Sequence, residues 1–204
     1  MTAEKTRVDA EKLISFSMKA LQGLGVPEKD ARITARLLVA SDLRGVDSHG
    51  VAHLKMFYAK RIRLGIINLN SKPKIFSRSP SAATMDGDQG LGFVIGHHAM
   101  TEAIQRAEKT GAGFIAVCNS THFGATAGYA MMALEHDMIG IAMTNTVASV
   151  VAPGSTRSAV GTTPLAVAVP AGQKPPFVLD IATSVVAGGK LEIARREGKS
   201  IPEG

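Results

Sequence analysis

The stretch FVIGHHAMTEAIQRAEKTGAGFIAV, residues 93–117, decides the fold class. Its first part predicts a helix over residues 93–109, and its last part predicts an apolar strand over residues 113–117. Further elements are predicted on both sides, with strands at residues 74–76, 82–85, 139–143, 166–169 and 177–180 and helices at residues 125–136 and 190–196. This alternation of strands and helices predicts an α/β layer with some parallel pairing.

Upstream of residue 75 the sequence predicts helices without strands. Asp9 is placed to cap a first helix, Pro27 opens a second, and a third covers residues 53–64. The face that the second helix is expected to bury consists of Ala31, Ile33, Leu37, Leu38 and Val39. The change of pattern predicts an N-terminal helical segment over residues 1–75 and an α/β domain over residues 76–204.

The composition is ordinary for a globular protein, with 204 residues of which 45% are hydrophobic and 20% charged. The net charge is +6, but the basic residues are dispersed and the chain has no tryptophan, which argues against nucleic-acid binding. No apolar run approaches the roughly 20 residues that cross a bilayer, and the N-terminus does not resemble a signal peptide. The single cysteine, Cys118, excludes an internal disulfide, fits a cytoplasmic location, and is expected to be a buried thiol.

The run from Gly90 to Gly96 is the nearest approach to a dinucleotide-binding loop. It misses the GxGxxG spacing by one residue, and it is expected to follow a polar turn rather than a buried strand. It is therefore interpreted as a turn and a helix start. The adjacent His97 and His98 would point about 100° apart on a helix and cannot share one ion. No Cys/His spacing resembles a zinc site, so no metal site is predicted.

The polar turn Asp47-Ser48-His49-Gly50, held between two predicted helices, is a candidate site. Histidine titrates near neutral pH, so His49 can give or accept a proton. The residues alone equally allow a helix-capping serine beside a solvent-facing histidine. A serine hydrolase is disfavoured, because sequence neighbours rarely face each other as nucleophile and base and no GxSxG elbow occurs.

Polar residues also follow three of the predicted strands, at residues 119–124, 144–146 and 180–183. In α/β proteins, ligands bind at the carboxyl ends of strands, where helix N-termini offer free amides. Convergence of these three ends would form one crevice. At residues 119–124 the alternative is a polar helix cap followed by an exposed His122, and the residues do not decide between the two.

These segments together resemble the malate/L-lactate dehydrogenase family, which also includes ureidoglycolate, sulfolactate and diketogulonate-type oxidoreductases. The matching motifs, in the family's order, are LRGVDSHG at residues 43–50, NSTHFG at 119–124, MTN at 143–145, GTTP at 161–164, LDIATS at 179–184 and GK at 189–190. The likeness covers nearly the whole chain. It implies a nicotinamide-binding α/β fold unrelated to the Rossmann fold, a homodimer, and NAD- or NADP-dependent interconversion of 2-hydroxy and 2-oxo acids, or of cyclic amines and imines.

The resemblance implies that His49 is the proton donor or acceptor at the substrate oxygen, with Ser48 and Asp180 as relay partners. His122 acts as the acid/base in some branches of the family and lines the cofactor site in others. The residues expected to contact the dinucleotide are His122, Phe123, Gly124, Thr146, Thr162, Asp180, Ile181, Ala182 and Lys190.

The chain also departs from the family's pattern. His53 stands where many relatives have an arginine that binds the substrate carboxylate, so His53 or Arg44 is expected to take that role. Thr163 replaces the usual asparagine of its turn. Relatives are longer, so the chain is expected to be truncated at its C-terminal end. The alternative function is then a catalytically incomplete fragment that binds only nucleotide or a partner chain.

Overall fold

The computed structural model describes residues 7–201. The helices are α1 (Ala10–Gln22), α2 (Glu28–Leu43), a 3-10 turn (Asp47–His49), a π-helix (Leu54–Ala59), α3 (Lys60–Arg63), α4 (Gly92–Thr110), α5 (Ala127–Ala130), a 3-10 helix (Met131–His136) and α6 (Gly188–Glu197). The strands are β1 (Lys74–Ser77), β2 (Ala82–Gly90), β3 (Phe114–Ser120), β4 (Gly140–Met143), β5 (Val150–Val151), β6 (Ser158–Val160), β7 (Leu165–Val169) and β8 (Phe177–Ile181). The predicted α/β class is confirmed.

The strands of the described residues form two three-stranded sheets and a hairpin. The first sheet has the order β1-β2-β3, and β2 and β3 are parallel with α4 between them, as predicted. The second has the order β4-β7-β8, with β7 antiparallel to both neighbours, so β4 and β8 run in the same direction. The sequence does not predict the β5–β6 hairpin, because strands of two and three residues are too short to show an alternation.

The N-terminal helices pack into the main hydrophobic core. Asp9 caps α1 as predicted, since its carboxylate accepts a hydrogen bond from the Lys12 N–H at 3.0 Å. The residues of α2 that are buried are Ala31, Thr34, Ala35, Leu38, Val39 and Ser41, whereas Ile33 and Leu37 are only partly buried. The sequence does not predict the buried hydroxyls. They are tolerated because Thr34 and Ser41 donate hydrogen bonds to the carbonyls of Asp30 and Leu37.

The predicted third helix is present but does not have uniform α geometry. It begins as the π-helix and continues as α3. A π-helical turn is wider than an α-helical one, and such turns are frequent at functional sites. In this chain the π-helix carries Phe57 and Tyr58, which pack between the core and the candidate turn.

The glycine run before α4 differs from the prediction. It leaves a strand directly, because β2 continues to Gly90. It is nevertheless closed to a phosphate. The hydroxyl of Thr121 accepts a hydrogen bond from the Gly92 N–H at 2.9 Å, and a Cβ on Gly92 would overlap the carbonyls of Thr121 and His122. The N-terminus of α4 therefore holds the segment after β3 in place.

The prediction for Cys118 is wrong, since its thiol is exposed. β3 is an edge strand, and α4 covers only the face that contains Ile115. Cys118 lies an odd number of residues from Ile115 and so belongs to the opposite face. Its apolar neighbours indicate a strand but do not reveal which face is covered.

Across residues 7–201, no helix is both long enough and apolar enough to cross a bilayer.

Candidate active site

The turn Asp47–His49 is held in place by the end of α2. The carboxylate of Asp42, in the last turn of α2, accepts a hydrogen bond from the Val51 N–H at 2.9 Å. Ser48 is buried in this turn. From the other side, a Cβ on Gly189 would lie 2.5 Å from the Ser48 carbonyl oxygen, so the start of α6 packs directly on the turn. The residues on both sides of His49 are therefore held in place.

Gly50 is required here for its lack of a side chain. A Cβ at this position would overlap the Asp42 carboxylate. We expect Gly50→Ala to push this carboxylate off the Val51 N–H and to destabilise the fold by about 1–3 kcal/mol. Urea denaturation measures the change in the free energy of unfolding. Gly188→Ala is the matched control, because a Cβ there meets nothing within 4 Å. Equal stability of the two variants would contradict this account of the turn.

His49 belongs to a cluster of aromatic rings. Its Nδ1 is 3.0 Å from the Ser48 hydroxyl, and its ring is stacked on that of His122 with centroids 5.9 Å apart. The His53 ring is 6.1 Å away. Burial, together with the neighbouring imidazole of His53, lowers the pKa of His49, while the carboxylate of Asp180 opposes this shift. His49 is therefore held mainly in its neutral form near pH 7.

His122, directly after β3, faces the same space. Its Nδ1 is 2.7 Å from the Tyr58 hydroxyl and 3.3 Å from the Gly124 amide nitrogen. The Phe57 ring packs edge-on against it at 4.8 Å. Burial, reinforced by His49, His53 and Arg61, lowers the pKa of His122 to about 3. His122 is thus a neutral hydrogen-bonding ring at physiological pH.

One cation that the sequence reasoning missed, Arg61, stands beside this cluster. Its guanidinium carbon lies 3.4 Å from the centroid of the Phe57 ring, and His53 stacks on Phe57 at 5.7 Å. No acidic side chain within residues 7–201 forms a salt bridge with Arg61. The i, i+4, i+8 spacing of these three residues is the sequence signal that could have found it. The predicted Arg44 lies instead at the exposed C-cap of α2.

The ends of β4 and β8 meet beside the start of β7, where hydroxyl side chains hold the loops together. Thr146 and Thr162 are 3.2 Å apart through their hydroxyls, and the Thr162 N–H donates to the Thr146 hydroxyl at 2.7 Å. Thr183 donates from its backbone to the Thr162 carbonyl and lies 2.8 Å from the Thr163 hydroxyl. Thr163, the residue that departs from the family's pattern, is therefore part of this contact.

Asp180 connects β8 to the start of α5. Its carboxylate accepts a hydrogen bond from the Ala127 N–H at 2.9 Å, near the start of α5 and close in sequence to His122. Its charge also acts on His49. The exposed Ile181 and Ala182 follow it, and Lys190 is exposed in the first turn of α6.

The predicted residues thus fall into two groups. Ser48, His49, His53 and His122 form one cluster with Tyr58, while Thr146 and Thr162 line the joined strand ends of the second sheet. The three strand ends expected to form one crevice belong to two sheets, β3 to the first and β4 and β8 to the second.

Comparison with known proteins bears on the identity of this arrangement. The family model described as malate/L-lactate dehydrogenase matches residues 8–204. The chain belongs to this family. It is 50% identical over 198 residues to a malate dehydrogenase of Pyrococcus abyssi and 44% identical over 186 residues to an L-sulfolactate dehydrogenase of Methanocaldococcus jannaschii. These matches cover 97% and 90% of this chain, and 54% and 53% of the relatives.

Solved structures give the same picture for the fold. The malate dehydrogenase of Pyrococcus horikoshii superposes with a TM-score of 0.86 at 46% identity, covering 93% of this chain and 56% of that one. The malate dehydrogenase of Entamoeba histolytica superposes with a TM-score of 0.92 at 36% identity, covering 98% and 55%. This member of the family therefore spans about half the length of the relatives it matches.

Proposed function

We propose that the chain carries the proton-transfer half of a nicotinamide-dependent 2-hydroxy-acid dehydrogenase site, with His49 as proton donor and acceptor. One observation supports this most: the half-buried His49, hydrogen-bonded to Ser48 at Nδ1, stacks on a second half-buried histidine, His122. A histidine held in this way can exchange a proton through its other nitrogen. Ser48 fixes the orientation of the ring, and the charge of Asp180 favours its protonated form.

The direction of the pKa shift sets the pH dependence. Oxidation of a hydroxyl needs neutral His49 to accept the proton, so the oxidation rate falls only as the pH drops through a pKa below the usual value of 6.5. Reduction of a 2-oxo acid needs protonated His49, so its rate falls as the pH rises above that same pKa. The two directions therefore have opposite pH optima.

The second group of residues fits a dinucleotide. The half-buried hydroxyl of Thr146 and the exposed donors of Thr183 and Lys190 suit ribose and phosphate oxygens, and the apolar Ile181 beside them suits a flat ring. Bound NAD or NADP would supply the hydride acceptor or donor. The proposed role of Phe123, Gly124, Thr162 and Ala182 is to shape the wall that holds it.

The substrate proposed is a small 2-hydroxy or 2-oxo acid. Its oxygen would meet His49, and its carboxylate would meet a cation. Arg61 is better placed for this than Arg44, because it stacks on a ring of the cluster, while His53 supplies a neutral hydrogen-bonding edge. Homodimer formation, a cytoplasmic location and the choice between NAD and NADP stay predictions.

The function is tested by incubating this chain with malate, lactate or sulfolactate and either NAD or NADP, and following reduced nicotinamide by fluorescence. We expect reduction with at least one of these pairs. NADH binding in calorimetry without reduction of either cofactor would favour the alternative, a chain that binds nucleotide or a partner chain without turning over substrate.

A further inference from the structure

We propose that Tyr58 is a positioning residue for His122: its hydroxyl and the Gly124 N–H together hold the imidazole as the tautomer protonated at Nε2. His122 then presents a fixed N–H donor to the ligand oxygen and does not exchange protons. This inference deepens the proposed function and rests on it for the identity of the ligand. The two stacked histidines then have different roles: His49 is the acid/base, and His122 is a hydrogen-bond donor.

The hydrogen bonds at Nδ1 decide the tautomer. The Gly124 backbone nitrogen, 3.3 Å from Nδ1, can only donate, so Nδ1 must offer its lone pair. The hydrogen of the neutral ring then resides on Nε2. The Tyr58 hydroxyl, 2.7 Å from the same Nδ1, consequently donates as well.

The Tyr58 hydroxyl is held firmly enough for this role. Tyr58 is 1% exposed, and its ring lies 5.0 Å from Phe93 in the core and 5.0 Å from Phe57 on the same π-helix. Burial raises the pKa of Tyr58, against the opposing charge of Arg61, so the hydroxyl keeps its proton. The wider π-helical turn carries both Phe57 and Tyr58, which contact His122 from two directions.

The neighbouring basic groups also lower the pKa of His122 and so favour its neutral form. The groups that face it are His49 from the 3-10 turn, His53 before the π-helix, and Arg61 from α3, and each disfavours an imidazolium. Tyr58 supplies no negative charge. A neutral imidazole that donates from a fixed nitrogen polarises a carbonyl oxygen without giving up its proton, which suits a 2-oxo acid.

The test is the tautomer itself, read from the ¹⁵N shifts of histidine-labelled protein by NMR. In the unaltered chain, we expect the His122 signals of a protonated Nε2 and an unprotonated Nδ1 that persist down to about pH 5, two units above the pKa. In Tyr58→Phe the ratio of the two tautomers should move about tenfold towards Nδ1–H, the effect of one hydrogen bond of roughly 1.4 kcal/mol.

Tyr129→Phe is the matched control. Tyr129 is equally buried, and its hydroxyl donates to the Phe123 carbonyl rather than to His122. We expect it to leave the His122 shifts unchanged. An unaltered chain with His122 protonated at Nδ1, or an unchanged tautomer ratio in Tyr58→Phe, would overturn the proposal. Because the readout needs no turnover, failure of the dehydrogenase assay leaves this result separately interpretable.

Discussion

Replacement of His49 by glutamine is expected to lower the rate of hydride transfer by about 10²–10⁴-fold, the usual contribution of a positioned acid/base. Glutamine keeps the size and hydrogen-bonding capacity of the imidazole but does not titrate near neutral pH. The stacked His122 cannot take over, since its pKa of about 3 keeps it neutral. Turnover of the hydroxy acid, followed through reduced nicotinamide, measures the loss.

His98→Gln serves as the control for His49→Gln. His98 lies on α4, outside the cluster, and its ring makes an edge-on contact with that of His97 at 6.0 Å. Its replacement should leave the rate within a factor of about two, as for a change away from the site. Full activity of His49→Gln would remove His49 from the reaction and leave the cluster without an acid/base.

Replacement of Arg61 by methionine is expected to raise the KM for the hydroxy acid by about 100-fold, because a charge-assisted hydrogen bond to a carboxylate contributes roughly 1.5–3 kcal/mol. Methionine keeps the packing against Phe57 and removes the charge. Arg61→Lys should lie between the two, since lysine keeps the charge but not the planar fork. Steady-state kinetics with substrate varied at saturating cofactor give the KM and kcat.

The matched control for Arg61→Met is Arg63→Met. Arg63 lies on the same short helix, α3, but is exposed. Both variants lose one positive charge, so a general electrostatic attraction would affect them equally. A rise in KM confined to Arg61→Met supports direct carboxylate binding. Equal KM values for the two variants would contradict it.

The sequence is sufficient for most of the elements, though not for the short β5–β6 hairpin, and for the turn that carries His49. The helix cap at Asp9, the alternation of strands and helices and the ordered motifs each depend on residues that are close together in the chain. Their spacing in the sequence is therefore enough to predict them. The family membership follows from the same ordered motifs and is confirmed.

Local sequence patterns do not reveal which distant residues the site residues contact. Tyr58 and His122 are 64 positions apart in the chain, and Asp180 meets Ala127 across 53 positions. Tyr58 looks like an ordinary core residue of an amphipathic helix, which it also is. Arg61 looks like part of the solvated side of that helix, and only its spacing of four residues from Phe57 indicates that it can lie over that ring.

Cys118 and the glycine run from Gly90 to Gly96 show a second limit of prediction from sequence, which is that tertiary contacts decide exposure and close packing. The apolar run before Cys118 predicts a strand correctly, but exposure depends on which face α4 covers. The glycines at the start of α4 are present for close packing of the chain after β3, and only the structure shows which group approaches them. Spacing therefore excludes a Rossmann loop without explaining these glycines.

The most direct test of the central claim follows a labelled hydrogen. The chain is incubated with malate carrying deuterium at carbon 2, or with lactate or sulfolactate labelled in the same way, and with NAD or NADP, and the reduced cofactor is analysed by mass spectrometry. We expect one deuterium per reduced nicotinamide, formed at a rate that His49→Gln lowers by about 10²–10⁴-fold. Reduced cofactor without deuterium, or labelled cofactor formed equally fast by His49→Gln, would contradict a 2-hydroxy-acid dehydrogenase site built on His49.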